Sequence, residues 1–214
     1  MAEASGARGV TRADIERARI PRRYWDVKLS AVLDSMPYKQ PFKTYLRDID
    51  SLIDKGIGLY LYSTEPSTGK TSLAVLALKR AMEMRHTVLF VRLPEFRLDV
   101  FGKEQFDEDS TVLDRARKVD LLVMDEVNSG SAMDVKYIGN IVLELVQHRS
   151  QHMLPTIITT DIPPGSVSTE FSPYMVGLMQ ESFIPLDIVG ESAGGMNWRA
   201  FKSAELQGLL GEES

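Results

Sequence analysis

Residues 58–75 read GLYLYSTEPSTGKTSLAV. Gly58 to Tyr62 is a short apolar run of the kind that forms a buried strand. From Lys70 a helix is expected, reaching to about Arg85. The intervening loop carries Gly69-Lys70-Thr71, the second half of the phosphate-binding pattern G-x-x-x-x-G-K-[S/T], in the required strand–loop–helix setting. Backbone N–H groups and a helix N-terminus attract phosphate oxygens. Lys70 has the length to meet β- and γ-phosphates, and the Thr71 hydroxyl suits Mg²⁺. The candidate nucleotide-binding set is therefore Thr64, Glu65, Pro66, Ser67, Thr68, Gly69, Lys70, Thr71 and Ser72. Thr64 stands where the pattern has its first glycine, a residue that avoids steric cost where the backbone is unusual.

Strands and helices alternate beyond this loop. TVLFVRL (87–93), DLLVMDE (120–126), PTIITTD (155–161) and FIPLDIV (183–189) are the further predicted strands. Helices are predicted around Pro94–Phe101, around Asp109–Val119, over Met133 to His148, and over Pro173 to Ser182 with Ser172 as its cap. Strands apolar on both faces, alternating with helices, mean an α/β fold: a parallel five-stranded sheet flanked by helices.

The strand Leu121-Leu122-Val123-Met124 ends in Asp125 and Glu126. In phosphate-loop ATPases the first such acid holds Mg²⁺, so Thr71 and Asp125 are the candidate metal ligands. Glu126 is suited to orient and deprotonate an attacking water. At the carboxyl end of a parallel sheet these acids belong beside the phosphate loop. Thr159-Thr160-Asp161 closes another strand. It suits contact with a γ-phosphate or the lytic water, and equally suits a strand running into an ordinary turn.

The 214 residues are enough for one domain with a short appendage, and 43% hydrophobic and 26% charged residues describe a globular protein. Zero cysteines exclude a disulfide scaffold, a thiol nucleophile and thiolate-bound metals. The net charge of −5 excludes a basic nucleic-acid coat. No secretory signal and no run of about 18 apolar residues is present, so a cytoplasmic location with no membrane partner is expected.

Before the core, residues 1–10 read as a tail, TRADIERARI (11–20) as a short helix capped by Thr11, and Lys43 to Lys55 as one amphipathic helix stopped by Gly56 and Gly58. Pro21, Pro37 and Pro41 punctuate the segment between. Arg22, Arg23, Tyr24 and Trp25 cluster there, either as a partner surface or with the two aromatics packed on the core. Lys79, Arg80, Arg85 and Arg92 form a modest basic set, either a DNA surface or a solvated helix face.

These segments together resemble the DnaC/DnaI/IstB group of AAA+ ATPases over roughly residues 20–199. The likeness is carried by IPRRYWDVKL, GLYLYSTEPSTGKTSLAV, DLLVMDE, LELVQHRSQHMLPTIITTDI, PLDIVGES and the ending Asn197-Trp198-Arg199. The resemblance implies a P-loop NTPase core (58–199) without a large lid domain, an N-terminal segment (1–57) that includes a helicase-contact surface, and a C-terminal tail (200–214). It implies ATP and Mg²⁺ as cofactors, and catalytic roles for Lys70, Glu126, Asp161 and Arg199, with Thr160 at the nucleotide. It implies a loader that binds a replicative DNA helicase and places it on single-stranded DNA, with a homo-oligomer as a further partner. Asp161 stands where the group usually has Asn, and no arginine occurs from Ser150 to Trp198, where its trans-acting arginine usually lies. That absence points to slow turnover or to a finger from elsewhere, with Arg149 and Arg199 as candidates. The alternatives are a transposition helper on duplex DNA, a nucleotide-gated binding module without turnover, and a small-molecule kinase.

Overall fold

The computed structural model describes residues 9–31, 36–95, 112–127 and 132–189. The strands are β1 (Gly58–Tyr62), β2 (Val88–Arg92), β3 (Leu121–Asp125), β4 (Thr156–Thr160) and β5 (Phe183–Asp187). The helices are α1 (Arg12–Arg17), α2 (Lys39–Arg47), α3 (Ile49–Asp54), α4 (Lys70–Glu83), α5 (Val112–Lys118), α6 (Ala132–Gln151), α7 (Val167–Glu170) and α8 (Pro173–Ser182). All strand pairs are parallel, in the order β2-β3-β4-β1-β5. The expected five-stranded parallel sheet is present, with each strand within two residues of its predicted limits.

Side chains alternate across this sheet because a strand has period two. Leu59, Leu61, Phe90, Val123 and Ile157 face one way and pack with Leu73, Ala74, Ala77 and Leu78 of α4. The same layer takes in Ile15 and Ile20 near α1, Phe42 and Tyr45 of α2, and Ile49 and Ile53 of α3. Tyr60, Leu89, Leu122, Met124 and Ile158 face the other way, against Ala116 of α5, Leu145 and Val146 of α6, and Met175 and Met179 of α8. The result is three layers, helix–sheet–helix.

Two glycines are dictated by geometry. A Cβ on Gly58 would stand 1.8 Å from the Thr156 carbonyl oxygen, so β1 starts where only glycine lets it lie against β4. Gly58 thus belongs to the strand, and Gly56, at φ 71°, is the residue that follows the helix end. Gly69 has φ 98° and turns the chain into α4.

The single helix expected over 43–55 is two, α2 and α3, divided at Asp48 (φ −99°, ψ 14°). The Arg47 guanidinium holds the Asp48 carboxylate at 2.7 Å beside this break. Pro41, read as punctuation, lies inside the first turn of α2, where the missing N–H would have no intrahelical partner. The TRADIERARI helix spans only Arg12–Arg17; Thr11 and Asp14 cap it reciprocally, and Arg19, at φ 60°, leads the chain away. The chain then runs beside β2, whose Phe90 N–H donates to the Ala18 carbonyl at 2.8 Å. Ser172 caps α8 by accepting from the Met175 N–H at 3.2 Å, with Pro173 in the first position, as expected. Among the described residues, no helix is long and apolar enough to cross a membrane. The acidic loop GKEQFDED, most of the helix expected around Pro94–Phe101, and the 200–214 tail lie outside the described residues.

Candidate nucleotide site

The loop between β1 and α4 starts with Ser63, whose N–H donates to the Thr160 carbonyl at 3.2 Å and so extends the β1–β4 ladder. Positive φ in the loop falls on Ser67 (64°) and Gly69 (98°). Thr64 is exposed and has no positive φ, so threonine there meets no left-handed backbone. Lys70 Nζ donates to the carbonyl oxygens of Ser63 (3.3 Å) and Glu65 (3.2 Å). Burial lowers the Lys70 pKa, opposed by the charges of Asp161 and Asp125. Thr68 is 2% exposed, and its Oγ1 has no hydrogen-bond partner. An orphaned buried hydroxyl is costly, and it fits a loop that receives an acceptor-rich anion.

β4 lies between β1 and β3, so the acids are one strand removed from the loop. Thr71, at the start of α4, bridges the gap: its hydroxyl donates to Asp125 Oδ1 at 2.8 Å. The Thr159 hydroxyl donates to the same oxygen at 2.6 Å. Asp125 is 2% exposed. Burial holds its carboxyl above the usual range, and the bonds from Thr159 and Thr71 pull the other way. A hydroxyl beside a carboxylate is an all-oxygen donor set, which suits Mg²⁺ and not a softer metal.

Glu126 follows in a left-handed conformation, φ 61°, with its N–H donating to Thr159 Oγ1 at 3.0 Å. Its Oε2 accepts from Arg92 Nη2 at 2.6 Å, while Arg92 Nη1 donates to Glu95 at 2.7 Å. Thr160 is fully buried; its hydroxyl donates to the Val127 carbonyl and accepts from the Ile162 N–H. Thr159, not Thr160, is therefore the β4 hydroxyl that meets Asp125. Strand parity carries this signal: 121, 123 and 125 share a face with 157 and 159. Asp161 lies beyond β4, and its charge acts on Lys70 and Tyr60. Arg199 and its neighbours Asn197 and Trp198 lie outside the described residues.

Arg149, considered as a finger, is fully buried. Its guanidinium donates to the carbonyls of Ala116 (2.6 Å), Pro155 (2.8 Å) and Asp120 (3.4 Å) and to Thr156 Oγ1 (3.1 Å). An arginine spent on four internal acceptors cannot reach a neighbouring subunit, so that candidacy is withdrawn. Burial pushes its pKa down to about 9, which leaves it charged at neutral pH. The basic set disperses too. Lys79 donates to the Trp25 and Val27 carbonyls, Arg80 to the Leu46 carbonyl and Glu83, and Arg92 to two glutamates. Tyr24 and Trp25 pack against the core, and Trp25 Nε1 donates to the Ile20 carbonyl at 2.8 Å.

No family model matches the chain. The replicative helicase loader DnaI of Bacillus subtilis (strain 168) is 25% identical over 118 residues, which is 55% of this chain and 37% of that protein. The chain thus matches well under half the length of that relative. The crystal structure of the DnaC helicase loader superposes with a TM-score of 0.67 at 21% identity, covering 79% of this chain and 100% of that one. The replication initiator DnaA bound to AMPPCP and single-stranded DNA superposes with a TM-score of 0.59 at 16% identity, covering 76% of this chain and 50% of that one. The sequence match makes part of this chain similar to DnaI, and the superpositions show that it shares the α/β fold of these proteins.

Proposed function

We propose that this chain is an ATP-binding and slowly hydrolysing helicase loader, which binds a replicative DNA helicase and helps place it on single-stranded DNA. The observation that carries the nucleotide part is the Thr71–Asp125 hydrogen bond, which joins the phosphate loop to the acidic strand at 2.8 Å. The helicase part is supported by likeness to DnaI and DnaC.

In this reading the loop amides of residues 64–72 and the Lys70 ammonium bind the phosphates, and Lys70 leaves its two carbonyl partners to do so. Thr71 and Asp125 would hold Mg²⁺, and a cation there would supply offsetting charge to the phosphates. Glu126 takes the proton from the attacking water once Arg92 releases it. Asp161, whose charge acts on Lys70, is assigned to the phosphate side of the site, and Arg199 is assigned to sensing the nucleotide. Slow turnover follows from Arg92 occupying Glu126 and from the lack of arginine in α8. The segment 1–57 carries the helicase contact and 58–199 the ATPase core.

Light scattering of the full chain mixed with a replicative helicase, with and without Mg·ATP, tests the partner. A nucleotide-dependent complex that delivers helicase onto single-stranded DNA supports the proposal; no complex under either condition overturns the helicase part. The Arg92–Glu126 pair also favours a second reading, a nucleotide-gated module that does not turn over. Phosphate release from ATP by the native chain excludes it.

A further inference from the structure

A cavity of about 640 Å³ lies where α1 meets the end of α4, the end of α5 and the start of β2. The strands are parallel, so this is the amino edge of the sheet, opposite the edge that carries Asp125 and Glu126. Ala18, Met82, Val88 and Val119 give the cavity an apolar lining. Arg17, Arg85 and Arg115 line it as well, against one carboxylate, Asp14. That acid is already engaged: the Thr11 N–H and hydroxyl donate to its Oδ2 at 3.0 and 2.7 Å. Arg115 Nη2 donates to the Arg17 carbonyl at 2.7 Å, which fixes the guanidinium on the α1 side.

Charge decides what suits this cavity. The chain carries 30 acids against 25 lysines and arginines, so a cation usually finds an acid at hand. Arg47 meets Asp48, Arg80 meets Glu83, and Arg92 meets Glu95 and Glu126. Arg85 and Arg115 meet no carboxylate among the described residues. Unpaired guanidiniums beside aliphatic side chains match an apolar side chain flanked by carboxylates, which a guanidinium binds with two parallel N–H donors. Nucleic acid matches less well. His86 is the one ring among the described lining residues, and it sits 2.8 Å from Asp50, so no platform for stacked bases is present. Asp14 also repels phosphate. We propose that this cavity binds an acidic peptide segment of a partner protein, with an apolar side chain against Met82, Val88 and Val119 and carboxylates on Arg85 and Arg115. The site shares no residue with the phosphate loop or the acidic pair, so it stands apart from the nucleotide reading.

The test uses the full chain without nucleotide and fluorescence anisotropy of a panel of short labelled peptides, each with a central Leu, Met or Phe flanked by Asp and Glu. At least one peptide is expected to bind saturably, about tenfold more tightly than its counterpart with Asn and Gln for the acids and than its counterpart with a central Ala. Arg85→Glu and Arg115→Glu are each expected to weaken that peptide about tenfold. Lys55→Glu, which reverses an exposed cation outside the cavity, is expected to leave it within about twofold. The Arg85 side chain holds no other part of the fold, so Arg85→Glu decides the matter if Arg115→Glu melts early. Failure of every peptide to bind overturns the proposal, as does unchanged affinity in Arg85→Glu or binding that ignores the central residue. Labelled oligothymidylate gives the other arm: if the two arginine substitutions weaken it and leave the peptides bound, the face belongs to nucleic acid and the proposal falls.

Discussion

Arg92, the last residue of β2, and Glu126, one residue past the end of β3, are joined at 2.6 Å across the carboxyl edge of the sheet. The acid proposed to activate water is therefore held by a cation of its own chain. Arg92 and Glu126 are 36% and 43% exposed, so the pair is a partly solvated one. Such pairs contribute about 0.2–1 kcal/mol. Arg92→Ala is expected to raise basal ATP turnover by about two- to fivefold at unchanged nucleotide affinity. Phosphate release under saturating Mg·ATP checks it; unchanged or lower turnover means that Arg92 does not restrain Glu126.

Asp125 contributes to stability in the opposite direction from the cation-holding role proposed for it. Its folded pKa is raised, chiefly by burial. The folded chain then binds more protons at this site, so stability is lost as pH rises from the unfolded value of about 4 through the folded one. Asn keeps an Oδ1 acceptor for Thr71 and Thr159 without the buried charge. Asp125→Asn is expected to raise the nucleotide-free Tm by about 2–4 °C near neutral pH and to flatten its fall above about pH 4. Mg²⁺ added with ATP then gives no further rise. Thermal melts across pH decide this, and a lowered apo Tm contradicts it.

Thr64 gives a sharper test of the loop. The position shows no positive φ, whereas Ser67 and Gly69 do. Restoring the usual glycine has no strain to relieve. Thr64→Gly is expected to leave ATP affinity within about twofold and to lower stability by about 0.5–1 kcal/mol through backbone entropy. A tenfold gain in affinity, by calorimetry, refutes the reading of Thr64 as tolerated.

Arg149 ties the end of α6 to the start of β4 and to the α5–β3 connection through four internal acceptors. Arg149→Ala leaves those carbonyls buried without a donor and is expected to cost about 3–5 kcal/mol in denaturant unfolding. Nucleotide affinity of the folded fraction stays unchanged. A fully stable Arg149→Ala chain that fails to hydrolyse ATP contradicts this and restores the finger.

Much of the fold was legible because local pattern decides it. The runs at 58–62, 88–92, 121–125, 156–160 and 183–187 are apolar on both faces, and buried parallel strands require that. Ser172 and Pro173 mark the start of α8 chemically. The break at Asp48 was not legible, because the apolar spacing of α2 runs on into α3 while the chain itself bends. Thr159 was half-legible: parity along β4 places it on the α4 face. The Arg92–Glu126 pair was not legible at all. It depends on which strand neighbours which, and no local spacing encodes that.

The central claim is that nucleotide phosphates bind the loop from Thr64 to Ser72, against Asp125. The direct measurement is calorimetric titration of Mg·ATP into the full chain and into Lys70→Ala. The account predicts one saturable site per native chain and a loss of affinity of at least about a hundredfold on removal of the ammonium, the worth of a charge-assisted contact with phosphate. Equal affinity in the two proteins, or no binding to the native chain, contradicts it.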